Sequence, residues 1–323
     1  MSDQRPLLYL SRLLPDPVMA KIRERYRLVE EPGDLSPSPS SLQAGLREAV
    51  AAIVTLSERI DGDTLVGASR LRILANYAVG YNNVDLTAAH GRGVIVTNTP
   101  DVLTDATADL TWALLLATAR RVVEGDALVR AGGWTGWTAT QLLGVEVAGR
   151  TLGIIGMGRI GQAVAQRAAG FRMRVLYQAR RPIPPPLSGT WELRTLSEVL
   201  RQADFISIHV PLTDTTRHLI GRAELALMRQ TAVLINTARG PIVDEAALVE
   251  ALQKRTLAGA GLDVYEEEPR IHPRLLVLPQ VVLLPHLGSA TWSARIQMGM
   301  ICLQNIEAVL GGRPAPNAVN DSR

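Results

Sequence analysis

Three glycines, Gly156, Gly158 and Gly161, follow the mostly apolar residues Leu152–Ile155. This G-x-G-x-x-G spacing can cradle a pyrophosphate. The first glycine permits a tight turn, the second lets backbone approach the anion, and the third lets helix and strand pack closely. A helix starting near Ile160 offers its free N–H groups to the phosphates. About 20 residues beyond the glycines, a carboxylate commonly holds the ribose 2′-hydroxyl of NAD. Here the chain reads Tyr177-Gln178-Ala179-Arg180-Arg181. No acid is present, and two guanidiniums, whose planar forks suit phosphate, stand where a 2′-phosphate would lie. The competing reading is a solvated basic loop leading into Pro182–Pro186. The missing acid and the arginine pair occur together and favour NADP(H), with NAD(H) as the alternative.

Three further segments carry groups able to hold an anion or move a proton: Asn236-Thr237-Ala238-Arg239-Gly240, Gly261–Pro269 and Pro285–Thr291. Each follows a predicted strand, which puts its polar residues at the same edge as the glycine loop. A cation at a helix start, as Arg239 reads, sits against a positive dipole and favours a functional role. Glu266, Glu267 and Glu268 form a run of acids that would ordinarily be a solvated turn, and the run itself does not choose among them. His286, between Pro285 and Leu287-Gly288, would by itself be read as structural. His209 closes the strand Phe205–Ile208 near the same edge. His90, His218 and His272 read as surface or structural residues.

The elements that must position these residues alternate throughout the chain, short apolar strands with helical patterns, which predicts parallel sheets. The first half offers strands at Leu7–Leu10, Ala52–Leu56, Arg72–Ala75 and Val94–Thr97. The second offers Leu152–Ile155, Arg174–Tyr177, Phe205–Ile208, Ala232–Ile235, Ala258–Leu262 and Val281–Leu284. The segment Gln162–Gly170 completes a βαβ unit, Asp101–Arg121 reads as one long helix, and Ser293–Leu310 as an amphipathic helix returning to the first domain. Asn98-Thr99-Pro100 marks a crossing point, because the residue before proline avoids helix. The predicted fold is α/β, two doubly wound Rossmann-like domains with parallel sheets and a cleft between them. Residues 1–98 with 287–323 form the substrate-binding domain, and 99–286 the dinucleotide-binding domain. Pro32–Ser41 and Pro182–Pro186 are expected to be surface loops.

At 323 residues the chain can bury a large core. Its formal net charge is +3 with scattered basic residues, which argues against a nucleic-acid partner. A single cysteine, Cys302, excludes an internal disulfide and a multi-cysteine zinc site, and no metal site is expected. The start lacks the pattern of a signal peptide. The longest apolar stretch, Trp112–Ala117, is far too short to span a bilayer. A cytoplasmic protein with no membrane partner is expected.

Seven segments, TPDVLTDATADL from Thr99, GGWTGW from Gly132, LGIIGMGRIGQAVA from Leu152, VPLTDTTRHLI from Val210, NTARGPIVDEAAL from Asn236, AGAGLDVYEEEP from Ala258 and LLPHLGSAT from Leu283, cover nearly the whole chain. In this order they resemble the D-isomer-specific 2-hydroxyacid dehydrogenases, and within that family the glyoxylate/hydroxypyruvate reductases. The resemblance implies NADPH-dependent reduction of small 2-keto acids, glyoxylate and hydroxypyruvate, to glycolate and D-glycerate. It implies a catalytic trio of Arg239, Glu268 and His286. Arg suits a carboxylate bidentately, His is a proton donor near neutrality, and a carboxylate beside it stabilises the imidazolium.

For the cofactor, the resemblance implies Thr104, Arg159, Ile160, Val210, Pro211, Thr216, Thr237, Ala238, Asp263 and Gly288 beside the glycines and arginines already named. It puts His209–Leu212 against the adenosine side, so His209 is not counted as catalytic. For the substrate it implies the N–H groups of Val79 and Gly80, with Leu56 and Ser57 as pocket wall and with Ser289. Val79 stands where related phosphite oxidisers carry lysine, which disfavours that activity. A homodimer is implied through the cofactor domains, with Asp101–Arg121 and the following loop crossing between subunits. Trp134 and Trp137 are suited to that interface, and Trp137 to reaching the partner's substrate; the competing reading has both covering their own core. The chain stops soon after the closing helix, so the regulatory domain of many phosphoglycerate dehydrogenases is expected to be absent. Ala139 and Arg172 depart from a common proline and glycine without a functional consequence. The competing functions are an NAD-linked enzyme of lactate or phosphoglycerate type and a non-catalytic dinucleotide sensor of the corepressor kind.

Overall fold

Short apolar runs, each feeding a helical pattern, form parallel strands in two sheets. The computed structural model describes residues 4–31, 35–184 and 191–320. It comprises two compact units, Met1–Leu103 with Ser289–Arg323, and Thr104–Gly288. The chain thus changes unit at 103/104 and 288/289, where the sequence predicts 98/99 and 286/287.

In the first unit, strands β1 (Leu7–Leu10), β2 (Arg27–Glu30), β3 (Ala51–Val54), β4 (Ile73–Asn76) and β5 (Ile95–Thr97) pair in the order β2-β1-β3-β4-β5. Every pairing is parallel. The connecting helices are α1 (Asp16–Arg25), α2 (Pro39–Glu48) and α3 (Leu86–His90). β2 is an addition to the predicted set. Its sequence, Arg-Leu-Val-Glu, has two polar ends and lies at the sheet margin, so it carries no buried-strand signature. The expected loop Pro32–Ser41 is shorter than predicted. Ser38 accepts from the Ser41 N–H (3.1 Å) and Pro39 takes the first turn of α2, a favourable helix start for both residue types. Residues 32–34 of that loop, and residues 185–190 around the second proline-rich piece, lie outside the described residues.

The second unit begins with α4 (Thr104–Ala119) and α5 (Val122–Arg130). One long helix over Asp101–Arg121 is therefore a correction. Asp101 (φ 73°) and Arg121 (φ 53°) are left-handed residues that bound α4 on either side. Next come β6 (Thr151–Ile155), α6 (Arg159–Ala168), β7 (Arg174–Gln178), β8 (Glu192–Leu193), α7 (Leu196–Gln202) and β9 (Phe205–Ile208). The unit continues through α8 (Arg222–Leu225), β10 (Val233–Asn236), α9 (Glu245–Gln253), β11 (Gly259–Leu262) and β12 (Val281–Leu283). The seven strands run β12-β11-β10-β9-β6-β7-β8, all parallel. β6, β9, β10 and β11 are almost wholly buried, as expected of a sheet covered by helices on both faces. The apolar stretch Trp112–Ala117 is core helix: Trp112 stacks on Phe171 at 4.7 Å and donates to the Val164 carbonyl. Arg172 ends the turn after α6 at φ 54°, a conformation that favours glycine.

The chain closes in the first unit with α10 (Trp292–Leu310), capped by the Thr291 hydroxyl. Cys302 is buried on it, and burial pushes its thiol pKa up, which makes it an inert core residue. No described helix is long and apolar enough to cross a membrane.

Candidate active site

Because all strands of the second unit are parallel, their carboxyl ends share one edge, and the sequence-predicted residues lie on the loops there. Gly156 leaves β6 at φ 96°, and a Cβ on it would sit 2.6 Å from the Val210 N. The turn therefore needs glycine both for its dihedral and for the approach of the His209–Val210 backbone. A Cβ at Gly161 would be 2.2 Å from the Gly156 carbonyl oxygen, whereas one at Gly158 would meet nothing within 4 Å. The helix α6 begins at Arg159 without a side-chain cap. An uncapped helix start of this kind can receive an anion, which fits a dinucleotide pyrophosphate. Arg180 and Arg181 are exposed just beyond β7, and no carboxylate ends that strand.

Arg239, Glu268 and His286 come from the loops after β10, β11 and β12. The turn bearing Arg239 is locked by Asn236, which accepts from the Ala238 N–H (3.1 Å) and donates to the Arg239 carbonyl (3.0 Å). The following Gly240 packs against the next loop so closely that a Cβ would lie 1.8 Å from the Tyr265 carbonyl oxygen. Burial lowers the pKa of Arg239 and the Glu268 charge opposes that shift, so the two groups feel each other electrostatically.

The three acids differ in their partners. Glu266 pairs with His218 at 2.5 Å and accepts from the Glu245 N–H at the start of α9. Glu267 is exposed and pairs with Arg270. Glu268 reaches His286: its Oε2 lies 2.7 Å from Nδ1, while its Oε1 accepts from the Tyr265 N–H at 3.0 Å. Burial raises the Glu268 pKa. The hydrogen bond and charge of His286 outweigh it, and the carboxyl is held below its ordinary value.

His286 itself sits at φ 55°, a left-handed conformation costing roughly 1–2 kcal/mol for a residue with a Cβ. Asp263 maintains it. Its carbonyl accepts from the His286 N–H (2.9 Å), and its carboxylate accepts from Leu287 (2.6 Å) and Gly288 (2.8 Å). Asp263 is fully buried, and burial raises its pKa against the pull of those amides. In the sequence Asn236 reads as a polar strand end and Asp263 as a cofactor residue by resemblance; their holding roles require the loop geometry.

The other residues assigned to the cofactor are placed as follows. Thr104 opens α4, and Val210 and Pro211 follow β9 beside Gly156. The Thr216 hydroxyl donates to the Pro211 carbonyl (2.7 Å), so it fastens its own turn. The Thr237 hydroxyl is 2.9 Å from that of Thr111 on α4. The Gly288 carbonyl accepts from Thr107. His209 bonds the Ser207 hydroxyl through Nε2 at 2.8 Å, and burial lowers its pKa to about 3, so it is neutral.

In the first unit, Val79 and Gly80 follow β4, and Leu56 and Ser57 follow β3, again at carboxyl ends of parallel strands. Ser289 opens the returning segment of this unit. Trp134 and Trp137, on the loop after α5, are 55% and 81% exposed, so they do not cover their own core.

Comparison with known proteins fits this geometry. Residues 112–288 match the family described as D-isomer specific 2-hydroxyacid dehydrogenase, NAD binding domain. A glyoxylate reductase of Thermococcus gammatolerans is 47% identical over 98% of this chain and 96% of its own length. One from Pyrococcus horikoshii is 48% identical over the same shares. Among solved structures, the NADPH-dependent glyoxylate/hydroxypyruvate reductase of Sinorhizobium meliloti, in complex with NADP and malonate, superposes with a TM-score of 0.88. It is 34% identical, over 98% of this chain and 97% of that one.

Proposed function

Because this chain belongs to the D-isomer-specific 2-hydroxyacid dehydrogenase family, we propose that it reduces small 2-keto acids, glyoxylate and hydroxypyruvate among them, to the 2-hydroxy acids glycolate and D-glycerate. The observation that carries the reading is the 2.7 Å contact between Glu268 and His286, with Arg239 electrostatically tied to the same carboxylate. A nicotinamide dinucleotide held on the Gly156–Gly161 turn supplies the hydride. His286 gives the proton to the forming alkoxide from its Nε2, since Nδ1 is engaged by Glu268. Glu268 keeps the ring oriented and places a negative charge beside it. Arg239 binds the carboxylate and draws charge from the keto group. In the first unit, the N–H groups of Val79 and Gly80 take the substrate carboxylate, Leu56 limits its size, and Ser289 adds a polar contact. Arg180 and Arg181 select NADPH over NADH through the 2′-phosphate. The enzyme acts in the cytoplasm as a homodimer.

The direct test is NADPH oxidation, followed at its near-ultraviolet absorbance, on addition of glyoxylate to the purified protein. Turnover that is faster with NADPH than with NADH supports the whole reading. A preference for NADH overturns the cofactor assignment, and no turnover with glyoxylate or hydroxypyruvate overturns the reductase.

A further inference from the structure

The loop after β4 has an unusual pattern of commitments. Three successive carbonyls are occupied. That of Ala78 accepts from the Thr99 N–H (2.9 Å), that of Val79 from the Asn98 side chain (2.8 Å), and that of Gly80 from the Asn76 side chain (2.9 Å). The N–H groups of Val79 and Gly80 have no acceptor among the described residues. In a trans planar peptide the C=O of one residue and the N–H of the next point in opposite directions. Fixing the Ala78 carbonyl therefore fixes the Val79 N–H, and fixing the Val79 carbonyl fixes the Gly80 N–H. Two adjacent donors are left over while the negative ends of the same peptides are drawn into the protein.

Asn83 ties this loop to its neighbour. Its amide bonds the Asn76 side chain (3.2 Å) and donates to the Thr55 and Glu58 carbonyls (3.0 and 3.1 Å), which flank Leu56 and Ser57. The Glu58 carboxylate closes that second loop by accepting from the Thr55 N–H, the Thr55 and Ser11 hydroxyls and the Arg12 Nε. Asn76 is fully buried and Glu58 nearly so, hence these bonds form away from competing water.

We propose that Asn76, Asn83 and Asn98 are positioning residues: Asn98 sets the Gly80 N–H through the Val79 carbonyl, and Asn76 and Asn83 anchor the loop beyond Gly80 and hold the Leu56–Ser57 wall in register with the Val79–Gly80 N–H pair. The proposal rests on the reading that this pair takes the substrate carboxylate. None of the three side chains needs to touch the substrate. Their effect is expected on its binding more than on the chemical step.

The test is a kinetic split on single variants with glyoxylate. Asn98→Ala removes one donor at a half-buried position and is expected to raise KM by roughly three- to tenfold, the effect of one lost hydrogen bond. kcat and the KM for NADPH should change far less. Asn98→Asp keeps the shape, cannot donate when ionised, and is expected to raise KM at least as much. If Asn98→Ala does not fold, Asn83→Ala carries the same expectation. A lowered melting temperature with KM within about twofold of wild type in the folded variants means these residues are merely structural, and overturns the proposal. Gly80→Pro, which deletes one of the two N–H groups outright, separates the two levels. If it leaves KM unchanged, the carboxylate reading falls. If it raises KM while the asparagine variants do not, only the positioning proposal falls.

Discussion

At the strand edge of residues 104–288, polar groups lie buried or half-buried and answered; along residues 120–144, apolar groups lie in the open. Glu268, His286, Asp263 and Asn236 each have partners within the same unit, many of them backbone amides. The helix α5 buries no residue at all, and Val122, Val123, Val129, Trp134, Trp137 and Leu143 are 51–81% exposed. The segment nevertheless leaves and rejoins at one place, since the Val145 N–H donates to the Ala119 carbonyl at 2.8 Å. The polar groups of the first region are answered within one unit. The second has the composition of an interface, for a large apolar side chain left in water forgoes about 1.5–3 kcal/mol of burial. Chemistry and assembly are thus separable in this unit, and each prediction below attacks one side of that division.

The largest effect is expected at the strand edge. His286→Ala should lower kcat for keto-acid reduction by roughly 10²–10⁴-fold, the range for loss of a positioned general acid. The KM for NADPH should hold. Turnover near the wild-type rate would remove His286 from the reaction.

Cofactor selection is next. Replacing both Arg180 and Arg181 with neutral residues should raise the KM for NADPH by about tenfold or more, as for lost charged hydrogen bonds at an exposed site. NADH kinetics should barely move. Equal effects on both cofactors would mean the arginines act through the loop and not through the 2′-phosphate.

Glu268→Gln should shift the pH profile of reduction to lower pH. The hydrogen bond and charge of His286 hold Glu268 ionised, and the variant removes that charge from beside the proton donor. Stability follows the same group. A carboxyl held below its ordinary value stabilises the fold at neutral pH, and that contribution is lost as pH falls through the lowered value. Glu268→Gln should therefore be less stable than wild type near pH 7, with the gap closing in acid. Glu266→Gln, which breaks the His218 pair, should leave the pH profile of activity in place. A shift with Glu266→Gln but none with Glu268→Gln would reverse the assignment.

The sequence displayed these two regions unequally. The Gly156–Gly161 turn is legible because dihedral and contact distance at Gly156, and contact distance at Gly161, admit only glycine, and the parallel character of the strands follows from buried apolar runs between helical patterns. The acid partner of His286 is not legible from the run itself, because Glu266, Glu267 and Glu268 are chemically alike, and only the family resemblance singles out Glu268. Asn76, Asn83 and Asn98 were hidden for a related reason: asparagine at a strand end reads as an ordinary turn residue, and only the closed carbonyls reveal what it holds. The strand β2 escaped because an edge strand needs only one paired side, and its pattern of exposure is that of a loop. Arg121 set the end of α4 through a left-handed dihedral that no pattern of apolar residues encodes.

The smallest expected effect tests the arm formed by residues 120–144. A homodimer is expected by light scattering at micromolar concentration, with the arm as its contact. Trp134 and Trp137 would be its anchors, since large aromatics on a glycine-rich loop bury much area at little cost in side-chain entropy. Of the two, Trp137 is the more exposed, at 81%. If it reaches the partner's substrate, its truncation must alter recognition without touching the proton chemistry. Trp137→Ala should then change the ratio of kcat/KM for glyoxylate and hydroxypyruvate by no more than about tenfold, the low end for a hydrophobic contact that distinguishes substrates of different size. The pH profile set by Glu268 and His286 should stay where it is. A monomeric mass would defeat both the dimer and the contact in trans. A stable dimer whose Trp137→Ala variant keeps the wild-type preference would defeat only the contact, leaving the arm as an assembly device. A moved pH profile in that variant would break the division itself, because the arm would then reach the chemistry that the strand edge holds alone.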